Sequence, residues 1–113
     1  MNPRREVALW VAQRVTAVVL ALCVIVHLVT IIYAVRGGLT AAEILGRTRG
    51  NAAWATFYVI FVIAAAVHGA IGLRTVAAEW LGFRGEAAEF AMTIVGIALT
   101  LLGLRAVAAV FGA

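Results

Sequence analysis

Histidine occurs twice in this chain, at His27 and His68, and both positions fall inside long stretches without a charged side chain. An ionisable group within an apolar helix is costly, which makes each a candidate functional residue. A neutral imidazole there has two uses. It can ligate haem iron, since its unprotonated nitrogen is a good donor and apolar helices can clasp a porphyrin. It can also simply hydrogen-bond a carbonyl or threonine on a neighbouring helix. Around His68, helical spacing collects Ala64, Ala65, Gly72 and Thr75 on one face, with Gly69 alongside. These small residues leave room for a flat macrocycle and equally allow close helix packing. Arg14 and Arg74 lie at corresponding ends of their helices, where they could pair with haem propionates or snorkel to lipid headgroups. Arg105 has only the snorkelling reading, and Cys23 reads as a small buried apolar residue.

The elements that carry these residues follow from composition. Of 113 residues, 65% are hydrophobic and 12% charged, and the charges are nine arginines and five glutamates. So little charge cannot cover a small soluble domain, which excludes a water-soluble enzyme. A single cysteine excludes a disulfide framework or a Cys-based zinc site. The arginines are scattered rather than clustered with aromatics, so there is no nucleic-acid footprint. Apolar runs extend over Val15–Val35, Ala52–Leu73 and Phe90–Leu104, the last continuing past Arg105 to Phe111. A bilayer core of roughly 30 Å needs about 20 helical residues, and a single span must satisfy its own backbone hydrogen bonds in lipid. The expectation is an all-α membrane protein of one domain, 1–113, with three transmembrane helices at about 8–35, 52–76 and 87–111.

The first run is longer than the about 7–15 residues of a secretory signal core and lacks a small-residue cleavage site, so it reads as retained. Trp10, Trp54 and Trp80 sit where spans meet headgroups. Thr40-Ala41-Ala42-Glu43 forms a capping-box pattern, predicting one or two surface turns over Ala41–Gly46. Glu86 and Glu89 fall in the first turn of the third span, where they suit its dipole. Arg4 and Arg5 favour a cytoplasmic N-terminus. Counted from Arg14 and Arg74 at one common boundary, His27 lies roughly 20 Å deep and His68 about 9 Å. An offset of about 10 Å places them poorly for one iron, so each would need a histidine from another chain.

Two segments resemble the membrane-anchor subunits of succinate dehydrogenase and fumarate reductase, respiratory complex II. Gln13-Arg14-Val15-Thr16-Ala17 is similar to the Gln-Arg-Val-Thr-Ala opening of the small anchor subunit and the His-Arg-x-Ser-Gly opening of the large one. His68-Gly69-Ala70-Ile71-Gly72-Leu73-Arg74, followed by Glu79-Trp80, is similar to the family pattern His-x-x-x-Gly-Ile-Arg with a later acidic–aromatic pair. With three helices in order, the likeness covers nearly the whole chain. It implies that His68 is an axial ligand of haem b and that Arg14 lies near the quinone or a propionate. Trp80 stands where the small subunit has a quinone-bonding tyrosine, and its indole N–H can still donate. Trp10 stands where the large subunit has a serine, which points to the small-subunit type or to a different quinone pocket. His27 resembles the helix-one ligand of the two-haem relatives, giving one haem or two.

The implied function is that of an anchor: not an enzyme by itself, but the non-flavin subunit of a succinate:quinone oxidoreductase. Flavin and iron–sulfur chemistry belong to partner subunits, since this chain has neither a dinucleotide motif nor a cysteine set. Implied partners are a flavoprotein, an iron–sulfur subunit, a second membrane anchor sharing the haem, and lipid. Electrons would reach quinone near Arg14, Glu79 and Trp80, with Glu79 either relaying protons or simply pairing with Arg84 or Arg74. The implied location is the bacterial inner (cytoplasmic) membrane. Two alternatives stand beside this: another bis-histidine cytochrome b anchor, or a haem-free transporter module or assembly factor.

Overall fold

Asn2 and Pro3 start the first helix earlier than hydropathy suggests, at Pro3 rather than near residue 8. The Asn2 side chain accepts from the Arg4 N–H at 2.9 Å, and proline's missing N–H costs nothing in the first turn. The computed structural model describes residues 2–112, and within them the regular elements are α1 (Pro3–Arg36), α2 (Ala41–Thr48), α3 (Ala52–Leu81) and α4 (Glu86–Gly112). The three long helices, of 34, 30 and 27 residues, are each long and apolar enough to cross a membrane. The capping box expected at Thr40 is present: Thr40 Oγ accepts from the Glu43 N–H at 3.2 Å, and Glu43 Oε2 accepts from the Thr40 N–H at 2.8 Å. The third helix runs on past residue 76 to Leu81 and stops at Gly82. That glycine takes a left-handed φ of 66°, which other residues rarely adopt.

α3 is the central element, packed against α1 on one side and α4 on the other. The residues buried at the seams are small: Cys23, Ala64, Ala66, Ala88 and Val107. Large side chains such as Leu22, Phe90 and Leu101 face outward. This is the inverse of a soluble core. In lipid, apolar burial between helices gains little, and close backbone approach through small residues carries the packing instead. Gly96 faces the Ala70 methyl across the α3–α4 seam, and Gly103 lies so close to Val62 that a β-carbon there would overlap it.

Polar contacts close both ends. At one end Arg74 Nε donates to Glu89 Oε1 at 2.6 Å, Arg74 Nη2 to Glu6 Oε1 at 3.0 Å, and Arg5 Nη2 to Glu89 Oε2 at 2.6 Å. The network ties α1, α3 and α4 together. Glu6 and Glu89 both lie in first turns, where the helix dipole favours an anion. The pairing expected of Glu79 with Arg74 or Arg84 does not form. Glu79 is exposed and has no ion-pair partner among the described residues, because Arg74 is directed across the bundle rather than along its own helix. At the other end Thr48 Oγ donates to the Val110 carbonyl at 2.9 Å and the Gly50 N–H to the Phe111 carbonyl at 2.8 Å. These bonds satisfy carbonyls that the last turn of α4 would otherwise leave open.

Gly103→Ala is expected to destabilise the α3–α4 pair by about 1–3 kcal/mol through overpacking against Val62. Unfolding titration of the protein in detergent measures it.

Candidate functional site

α1 and α3 run antiparallel, and their register decides which polar groups meet. Thr16 lies opposite His68, with Oγ 3.3 Å from Nδ1. One turn toward the charged end, the Gln13 carboxamide occupies the notch opened by Gly72; its Nε2 lies 3.4 Å from where a β-carbon would stand. Gln13 Oε1 is buried and has no hydrogen-bond partner among the described residues. Thr16 Oγ also donates to the Ala12 carbonyl at 2.7 Å, with the Gln13 carbonyl 3.2 Å away. Beside this row a cleft of about 490 Å³ separates α1 from α4 over the far face of α3, while one of about 430 Å³ opens between α1 and α3. Trp10, Gln13, Arg14, Gly72, Arg74 and Thr75 border the latter.

The structure thus gathers Arg14 and Arg74 around one cleft, on the helix faces that continue from His68. Arg14 stacks its guanidinium over the Trp10 ring at 5.1 Å and has no ion-pair partner among the described residues, whereas Arg74 is already bound to two carboxylates. Glu79 and Trp80 do not border the cleft. They lie further along α3 on its outer surface, and Trp80 is 81% exposed.

His27 belongs to a second layer. Its Nδ1 lies 3.2 Å from the Tyr58 hydroxyl, and its ring packs edge-on against Tyr58 and Phe61, each at 5.6 Å between centroids. Ten residues of α3 separate Tyr58 from His68, so the two layers are about 15 Å apart along the helix. That exceeds the 10 Å expected from counting inward off Arg14 and Arg74. The register puts Arg14 about one turn deeper than Arg74, so the two arginines do not mark a common boundary.

The residues around His68 suit a haem iron ligand. One ring nitrogen is anchored to Thr16; the other, Nε2, makes no hydrogen bond among the described residues. Gly69 and Gly72 flank the ring without side chains of their own; Gln13 fills the notch at Gly72, and a β-carbon on Gly69 would meet Leu99 of α4 at 3.5 Å. The sequence reading missed Thr16, Gln13 and Tyr58 as partners. The aromatic set Trp54, Phe57, Tyr58 and Phe61, at helical spacing, was a visible signal for the last of these.

Three helices long and apolar enough to cross a membrane define a multi-pass membrane protein. Over residues 1–104 the chain matches the succinate dehydrogenase/fumarate reductase transmembrane subunit, and it belongs to that family. The family places it as a membrane subunit of an oxidoreductase complex, associated with the other subunits in the membrane. Comparison with curated proteins and with solved structures gave no match.

Tyr58→Phe removes the partner of His27 and is expected to cost about 0.5–1.5 kcal/mol in detergent unfolding. In the His27→Phe background the same change is expected to cost little, since the bond is already gone.

Proposed function

We propose that this chain is the haem b-binding anchor of a succinate:quinone oxidoreductase, holding the flavoprotein and iron–sulfur subunits on the membrane and passing electrons to or from quinone. The observation that carries the reading is the His68 layer. It combines an imidazole inside an apolar span, a protein hydrogen bond on one ring nitrogen only, small flanking residues, and two arginines around the adjoining cleft. Bound haem would supply a one-electron store beside the quinone. His68 would hold the iron together with a ligand from a second anchor subunit. Arg14, lacking a carboxylate partner among the described residues, neutralises a propionate, and Arg74 stiffens the same wall through Glu6 and Glu89. Quinone binds at the charged end, next to Arg14. There Glu79 and the exposed Trp80 lie on the surface that meets the iron–sulfur subunit. With Arg4 and Arg5 inside, that end is cytoplasmic and the complex sits in a bacterial inner membrane. His27 is the ligand of a second haem nearer the opposite face.

A reduced-minus-oxidised spectrum of the purified complex is expected to show b-type absorbance, of which His68→Ala removes the contribution of one haem. An absent band removes the haem reading and leaves the haem-free alternative, whereas a band unchanged by that substitution removes His68 as a ligand. His27→Ala is expected to remove about half of the absorbance; an unchanged band restricts the chain to one haem at His68. Trp80→Ala is expected to lower the quinone reductase rate while leaving the haem spectrum intact. A retained rate takes Trp80 out of the quinone site.

A further inference from the structure

We propose that Thr16 is a positioning residue for His68: its hydroxyl oxygen accepts from the imidazole Nδ1–H and so fixes the tautomer in which Nε2 carries the lone pair. This rests on the reading of His68 as an iron ligand and adds to it the group that orients the ligand.

The argument is one of proton counting. A threonine hydroxyl has one proton to donate. Here it is committed within α1, to the Ala12 carbonyl at 2.7 Å with the Gln13 carbonyl at 3.2 Å as a second acceptor. Toward His68 the oxygen therefore presents only a lone pair, and the 3.3 Å contact runs from Nδ1–H to Oγ. A neutral imidazole with its proton on Nδ1 has its lone pair on Nε2, the state that coordinates iron. The opposite arrangement would break the shorter bond to Ala12 and place the proton where the iron must bind.

The back-bond to α1 also fixes the threonine rotamer, so the acceptor is held rigidly and the imidazole cannot rotate without losing its partner. Carbonyl, hydroxyl and imidazole form one chain, each bond polarising the next. Acceptance from Nδ1–H makes the ring a stronger electron donor through Nε2. His27 provides the contrast. Tyr58 has no second hydrogen-bond partner among the described residues, so its hydroxyl can donate to Nδ1 or accept from it, and the tautomer is not fixed by this contact.

The test uses the complete purified complex with Thr16→Val, which keeps the shape and removes the hydroxyl, and Thr16→Ser, which keeps the hydroxyl. Redox titration and haem retention after dilution are measured for both. In Thr16→Val the midpoint potential of the haem is expected to rise, because a weaker donor stabilises the oxidised iron less, and haem affinity is expected to fall about 10–100-fold. Thr16→Ser is expected to match the parent in both. A Thr16→Val complex with unchanged potential and retention overturns the proposal, while the His68 reading stands if His68→Ala still loses its haem. An equal shift in Thr16→Ser also overturns it, since packing rather than the hydroxyl would then be responsible. If Thr16→Val does not assemble, Thr16→Ala gives the same readouts with the same consequences. A parent complex without b haem overturns both readings together.

Discussion

Inside the apolar layer there is no water to answer a polar group, so each one carried on a span must find its partner on another helix or on its own backbone. In this protein the antiparallel α1–α3 seam is where that constraint is met. Thr16 answers His68, Tyr58 answers His27, and the Gln13 side chain fits only because Gly72 leaves a notch for it. A shift of α1 by one turn along α3 would part both His68 from Thr16 and His27 from Tyr58. The polar residues therefore specify the register, while small residues at the seams let the helices approach closely enough to use it. Gross apolar burial contributes little to this choice, because lipid solvates Leu22 or Leu101 as well as a neighbouring helix would.

The charged end shows the same logic at the headgroup boundary. Glu6 and Glu89 each stabilise the start of their own helix, and Arg74 reaches both from the end of α3. One cation thereby joins three helices whose residues are far apart in the chain. The arrangement also separates two arginines that look equivalent in sequence. Arg74 is held by carboxylates of its own chain, whereas Arg14 rests on the face of Trp10 beside the cleft, with its charge available to an anionic group.

Much of this was legible in the sequence. The three spans follow from uninterrupted apolar runs, the short helix α2 from the Thr40–Glu43 pattern, and the two histidines from being ionisable in such runs. What escaped depends on how helices meet. Depth counted from Arg14 and Arg74 assumed a shared boundary, and inter-helix register moved the histidine layers to about 15 Å apart. Glu6 and Glu89 could not be assigned to Arg74, since sequence separations of 68 and 15 carry no local signal for an ion pair. The extension of α1 back to Pro3 was a different kind of omission. Hydropathy reports where a helix meets lipid, whereas the Asn2 cap decides where it begins.

The two imidazole layers differ in a way that bears on any haem they hold. At His68 the imidazole faces a hydroxyl on α1 whose own proton is spent on its helix backbone. At His27 the partner is a phenol on the opposite helix, and two aromatic rings pack against the imidazole. The imidazole at the first layer is held by a fixed acceptor, whereas the one at the second layer keeps a choice of proton and depends on the α3 aromatics for its position. Preorganisation of that kind raises affinity by removing an ordering cost that would otherwise fall on binding. The layer near the charged end is thus the better ordered of the two, and it is also the layer beside Arg14.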